Sequence, residues 1–122
     1  MQLSYLYTDE QGESHFKEIH FELEPSEFAP PAPPLNVSNT VPARQVLFVS
    51  APSGWEGDWH PSPARQYLFM ISGRLEIQAS DGEVRYFEKG DVLLAADIHG
   101  KGHISRSIGD DDLRTVIVQL PG

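Results

Sequence analysis

The chain has 122 residues, 39% apolar and 22% charged, with a formal net charge of −9 and no cysteine. Its length suits one domain with one modest core, and its balance is globular rather than disordered. The acidity argues against nucleic acid or an anionic membrane surface as a partner, because both call for clustered Lys and Arg. The missing thiols exclude disulfides, thiolate metal sites and a cysteine nucleophile, and they fit a reducing cytoplasm.

Met1 to Glu10 has neither a basic start nor an apolar core, so no secretory leader is predicted there. No run reaches the ~20 apolar residues of a spanning helix. Ten glycines and ten prolines cut the chain into short runs without helical period, the pattern of an all-β sandwich or barrel. Leu3 to Tyr7 reads as a first strand and Asp9 to Gly12 as a turn. Phe16 to Leu23 follows, with Ile19, Phe21 and Leu23 on one face and Glu18, His20 and Glu22 on the other, which predicts an antiparallel hairpin. The proline run from Phe28 to Leu35 predicts an extended, polyproline-like strap. Gln45 to Ser50 is apolar at alternate and intervening positions, which predicts a strand buried on both faces.

The second half is more regular. Gln66 to Ile71 is a strand, Leu75 to Ala79 alternates cleanly, and Ser80-Asp81-Gly82 is a hairpin turn leading into Val84 to Phe87. Val92 to Ala96 reads as a buried strand and Asp97 to Gly102 as a loop. His103 to Ile108 and Thr115 to Leu120 close the sheet across Asp110-Asp111-Asp112.

Gly54, His60, Ser62, Gln66 and Gly73 keep the intervals of a known signature. The spacing resembles the first motif of the cupin family, in which glycine, two histidines, glutamate and glycine stand at those positions. Ser62 then replaces the second histidine and Gln66 the glutamate. Gly90 begins the second motif, Ala96 stands where its proline belongs, and its histidine falls on His103, with His99 in the loop as competitor. Nearly the whole chain resembles small single-domain cupins carrying Trp-His-Pro near the first motif and Gly-Lys-Gly-His near the second. The resemblance implies an all-β double-stranded β-helix, or jelly roll, over residues 1–122. An N-terminal hairpin and proline strap would occupy 1–40 and the barrel 41–122, and two such chains would pair as a homodimer. It also implies a small-molecule protein, as a metal-dependent dioxygenase, isomerase, lyase or decarboxylase.

Strand alternation adds a pocket to that frame. If His103 points inward, Ser105 and Ser107 do too, while Gln66, Leu68 and Met70 share a face opposite. Trp59, Ser62, Gln66, Leu68, Met70 and Ser105 are the expected lining, a polar end grading into an apolar floor. By the resemblance, His60, Gln66 and His103 are the candidate ligands for a divalent ion (Fe, Mn, Ni, Cu or Zn). His60 and His103 are equally candidates for metal-free acid–base chemistry. A non-catalytic cupin that binds or senses a small ligand without metal is the other reading.

The bland readings stand beside these. Trp55 plugs the core or a contact, and Trp59 either does the same or stacks on a ligand. Arg65 and Arg106 face outward. Lys101 sits in a flexible Gly-Lys-Gly turn from which it could reach an anion. Asp58 is a loop carboxylate, Tyr67 and Tyr86 are packing residues, and His15 and His20 are solvent-exposed. The proline strap packs along the outside or crosses to a partner subunit, or else serves as a lid over the mouth.

Overall fold

Short runs between glycine turns fold into eleven strands and no helix in the computed structural model, which describes residues 1–122. The strands are β1 (Gln2–Thr8), β2 (Ser14–His20), β3 (Glu24–Ser26), β4 (Leu35–Val37), β5 (Gln45–Ala51) and β6 (Gln66–Ser72). They continue as β7 (Arg74–Ala79), β8 (Val84–Glu88), β9 (Val92–Ala95), β10 (His103–Ile108) and β11 (Leu113–Gln119). One sheet runs β2-β1-β9-β6-β11-β5, a second runs β10-β7-β8, and β3 and β4 form a separate hairpin. Two bridges, Glu56 to Arg106 and His60 to His103, lay the Gly54–His60 segment along β10 as a further edge of the second sheet. No helix of the structure is long and apolar enough to cross a membrane.

Cross-strand register divides the large sheet into two faces, because directly paired residues project to the same side. Leu6, Ala95, Gln66, Gln119 and Gln45 form one inward row, and Leu93, Leu68, Ile117 and Leu47 the next. The small sheet answers with Leu75, Ile77 and Ala79, paired with Ser107, Ser105 and His103. The core lies at the β1–β9 side of this sandwich, where Leu6, Leu93 and Ala95 pack with Ile77, Ala79 and Phe87. Packing loosens toward β5: in the second inward row Leu93 is buried, Leu68 and Ile117 are half-buried, and Leu47 is exposed.

Three expectations are corrected. β5 is not buried on both faces; it is the sheet's outer strand, and Phe48 is 83% exposed. Its apolar alternation records a surface that this chain does not itself cover. In the N-terminal hairpin the inward residues of β2 are Ser14 and Phe16, opposite Thr8 and Leu6, while Ile19 lies on the outer face opposite Leu3. The strand ends at His20, so Phe21 and Leu23 are outside it. Finally, the proline run is not an extended strap. It turns at Ala29 to Ala32, closed by a 2.9 Å bond from Ala32 N to Ala29 O, and connects the β3–β4 hairpin.

Candidate functional site

His60 and His103, 43 positions apart in the chain, face each other across the bridge between the Gly54–His60 segment and β10. Each backbone N–H donates to the other's carbonyl at 3.0 Å. Their rings lie 4.9 Å apart, centroid to centroid, at 51°. His103 is buried, whereas His60 is exposed at the rim. Gly102 makes this approach feasible: a Cβ there would stand 2.2 Å from the His60 carbonyl carbon and oxygen. Its φ of +73° also favours glycine.

Asp97 completes the arrangement. It follows the apolar run of β9 into the barrel end and is fully buried. Its Oδ2 accepts from His103 Nδ1 at 2.6 Å, and its Oδ1 accepts from the Ser62 hydroxyl at 2.7 Å. Ser62 N donates to the Asp97 carbonyl at 2.9 Å, so the two motif segments are clamped together twice. The acceptor on Nδ1 assigns the tautomer: with Nδ1–H used, a neutral His103 ring keeps its lone pair on Nε2. His60 is set the same way, its Nδ1 donating to the Asp58 carbonyl at 2.7 Å.

The other expected lining residues are distributed along the same space. Ser105 and Ser107 follow His103 on the inward side of β10, both buried, and the Ser107 hydroxyl has no hydrogen-bond partner. Leu68 is half-buried beside the core, but Met70 is inside the core and serves as floor only. Trp59 is 45% exposed at the rim, and Trp55 packs over Gly57. Between β10 and the β6–β11–β5 wall the inward residues are incompletely covered, Leu68 and Ile117 half-buried and Leu47 exposed. A surface hollow of about 830 Å³ lies elsewhere, beside Leu3, Phe69, Arg85 and Asp91, and no histidine lines it. Its arginine is already engaged by Glu18, Glu83 and Ser4, so the chemistry concentrates at the imidazole pair instead.

No family model matches the sequence, and no curated protein matches it either. Solved structures do. A cupin with a double-stranded β-helix from Methanocaldococcus jannaschii superposes with a TM-score of 0.54 at 18% identity, over 84% of this chain and 92% of that one. The cupin domain of Cnp3 from Schizosaccharomyces pombe gives a TM-score of 0.51 at 14% identity, over 99% and 83%.

The fold is the cupin double-stranded β-helix.

In this chain the position corresponding to the motif-one glutamate is differently employed. Gln119 Nε2 donates to Gln66 Oε1 at 3.0 Å. Gln119 Oε1 in turn accepts from Arg44 Nη2 at 3.5 Å and from Gln45 Nε2. The Gln66 oxygen is thereby engaged, and the Ser62 hydroxyl is given to Asp97. Two imidazole nitrogens remain from the expected donor set, and no group of three or more His, Cys, Asp or Glu side chains converges to hold a metal. A catalytic zinc ordinarily has three protein ligands. The residues present do not fit a resident divalent ion, and no chemical step is derived through one.

The Asp97–Gly102 loop is held by the N-terminal hairpin. Gly100 lies against Gly12, Lys101 N donates to Gly12 O at 2.9 Å, and the Ser14 hydroxyl donates to Gly102 O at 2.7 Å. Lys101 Nζ meets Glu13 Oε2 at 2.8 Å, so the cation faces Glu13 rather than a free anion site. That contact raises Lys101 and, with Ser80, lowers Glu13. His99 is exposed, and only its carbonyl is engaged, by Thr8. His15, expected in solvent, is half-buried between Asp9 and Asp81, at 2.7 and 2.8 Å. The Asp9 hydrogen bond chiefly raises His15, and His15 lowers Asp9.

Asp97 and Gln119 were missed as site residues. Asp97 carried a signal: an acid directly behind an apolar run has no solvent to face. Gln119 carried none, because its meaning depends on register with Gln66.

Proposed function

We propose that this cupin binds a small organic molecule in the cleft beside β10 and that His103 moves a proton on it. The observation that carries the reading is the 2.6 Å bond from His103 Nδ1 to buried Asp97. A carboxylate behind an imidazole fixes which nitrogen is the base and stabilises the ring once it has accepted a proton. His103 Nε2 removes the proton and, held as the imidazolium by Asp97, returns it to a neighbouring atom of the ligand, while His60, its Nδ1–H given to the Asp58 carbonyl, offers its Nε2 lone pair as an acceptor. That is the proton bookkeeping of an isomerase or epimerase, and it needs no metal. The absence of cysteine supports a cytoplasmic setting.

A second reading, ligand binding or sensing without chemistry, is favoured by the exposure of Trp59 and His60 at the rim. Such a rim suits capture more than exclusion of water. We also propose a homodimer, built on the uncovered face of the large sheet.

The test is exchange of α-hydrogens in D₂O on simple carbonyl compounds such as pyruvate and dihydroxyacetone, followed by NMR. The reading expects acceleration that falls about 10²- to 10⁴-fold in His103→Gln. If ligands bind and stabilise the chain but no exchange depends on His103, the non-catalytic reading takes over.

A further inference from the structure

We infer that Gln66 presents an N–H donor to the cleft, so that this cupin takes an acceptor oxygen of its ligand, carboxylate or carbonyl, at the position where the motif would place a metal ligand. The inference rests on the proposed small-molecule reading of the same cleft and names the ligand chemistry.

An arginine can only donate. Arg44 Nη2 points to one terminal atom of the Gln119 amide, and that atom is therefore its oxygen. The other terminal atom of Gln119 is then the NH₂ group, which must donate to its neighbour Gln66. The Gln66 atom that receives this bond is its oxygen, and its own Nε2 is left without a protein partner. The contact between the Gln45 amide and the Gln119 oxygen is compatible with this direction. Arg44 is held at this place by its backbone N–H, which donates to the Gln119 carbonyl at 2.8 Å.

Gln66 is buried and lies on the inward row of the sheet, paired with Ala95. Ala95 is two residues before Asp97, so the free N–H group belongs to the barrel end that holds the Asp97–His103 pair. The Gln66 N–H group lacks a protein partner but is not among the buried unsatisfied atoms, so it is accessible to a ligand. A ligand oxygen can accept from it, and a cation would be repelled by it.

A second, independent group points to a ligand from the facing wall. The Ser107 hydroxyl is 2% exposed, lies on the same side of β10 as His103, and has no partner. Both walls thus hold a polar atom without a protein partner, the accessible Gln66 N–H group on one and the buried Ser107 hydroxyl on the other. The ligand is accordingly a small organic acid or carbonyl compound, oriented by neutral donors, with His103 Nε2 turned toward it as the base.

The probe is acetate, with acetamide as the neutral carbonyl control and Zn²⁺ as the cation control, titrated into ¹⁵N-labelled protein. The Gln66 side-chain NH₂ signal, assigned by its loss in Gln66→Met, is the readout. Acetate or acetamide is expected to shift the Gln66 NH₂ and His103 ring signals together. Gln66→Met is expected to weaken that binding about tenfold, the loss of one hydrogen bond to a polar or charged group, while leaving Zn²⁺ affinity unchanged. Gln66→Glu, of nearly the same shape, keeps the bond from Gln119 through one oxygen and turns the other to the cleft; it should lose acetate and gain Zn²⁺. Retention of acetate by Gln66→Glu, or loss of Zn²⁺ affinity in Gln66→Met, overturns the assignment. A His103 response to acetate with a silent Gln66 also overturns it while leaving the His103 reading intact. A Gln66 response with a silent His103 overturns only the latter.

Discussion

Asp97 accepts hydrogen bonds from His103 Nδ1 and from the Ser62 hydroxyl through its two separate oxygens, in a position with no exposure to solvent. Each of the two donors is itself buried. Replacing the carboxylate by a methyl group therefore strands both. At roughly 1–3 kcal/mol for each buried donor left unsatisfied, Asp97→Ala should lose about 2–6 kcal/mol. Urea unfolding should show this as a lower midpoint with unchanged slope.

Asp97→Asn separates position from charge. The Asn carbonyl oxygen can keep the bond from His103, and the Ser62 hydroxyl can rotate to accept from the amide. Stability should then fall by no more than about 1.5 kcal/mol. The support for a protonated ring is lost, however, so any exchange activity should drop far more than stability. Nitrogen chemical shifts of the His103 ring give the tautomer directly; a ring that keeps Nδ1–H in both wild type and variant yet is equally active would remove Asp97 from the mechanism.

Gly102 and Gly82 form a matched pair for the site's geometry. Both have left-handed backbone, with φ of +73° and +98°. A Cβ at Gly82 meets nothing within 4 Å, whereas at Gly102 it would meet the His60 carbonyl carbon and oxygen at 2.2 Å. Gly82→Ala should cost only the backbone preference, about 1–2 kcal/mol. Gly102→Ala should cost more than that and should push the His60 segment off β10. Loss of the nuclear Overhauser contact between the two imidazole rings, in Gly102→Ala alone, is the expected signature.

Much of the fold was legible because it rests on a two-residue period. Leu75, Ile77 and Ala79 were readable as one inward face, and His103, Ser105 and Ser107 as another, without knowledge of their partners. What depended on partners was not readable. The apolar β5 looked like a central strand because periodicity reports side-chain character, not whether a neighbour is supplied by the same chain. His15 looked solvated because its partners lie 6 and 66 positions away. The proline run defeated the extended reading because its ends pair as strands, Glu24 with Val37 and Ser26 with Leu35. At the site, motif spacing led to His60, Ser62, Gln66 and His103. It could not show that Ser62 gives its hydroxyl to Asp97 and that Gln66 gives its amide oxygen to Gln119.

The His15 clamp gives stability a pH dependence. His15 Nε2 meets Asp9 and Nδ1 meets Asp81; Tyr7 faces the ring at 5.6 Å, and Glu13 and Lys101 pair nearby. His15 is raised above 6.5, so its contribution is complete below that pH and is lost as pH climbs through the higher folded value. Asp9 is lowered from 3.8, so its contribution is complete above that pH and is lost as pH falls through the lower folded value. Glu13, lowered from 4.5, acts like Asp9, and Lys101, raised from 10.5, holds until strongly alkaline pH. The melting temperature should therefore decline from mildly acidic to mildly alkaline pH, and His15→Asn should flatten that decline. An identical slope in the variant would show that the clamp does not couple to folding.

The exposed strand β5 leads to the last prediction. Its one partner is β11, which leaves the opposite edge without a ladder. Its outward residues Val46 and Phe48 continue an apolar row through Val118 and Tyr67, and through Val116 and Phe69. None of these carries a carboxylate, in a chain with 18 acidic residues and a net charge of −9. Two such chains repel one another over most of their surface, and this face is where they can meet without opposing charges. An edge of this kind invites another strand unless it is covered, and a two-fold axis lets β5 meet its own copy with the same residues on both sides. Light scattering should give a dimer for the wild type. Phe48→Glu, which sets like charges against each other across that axis, should give a monomer with an unchanged far-ultraviolet spectrum. Glu88→Lys, on β8 of the other sheet, should leave the dimer intact. A wild type that remains monomeric at concentrations of about 100 μM, well above the Kd of a standard interface, would mean that β5 is covered by something other than a second copy.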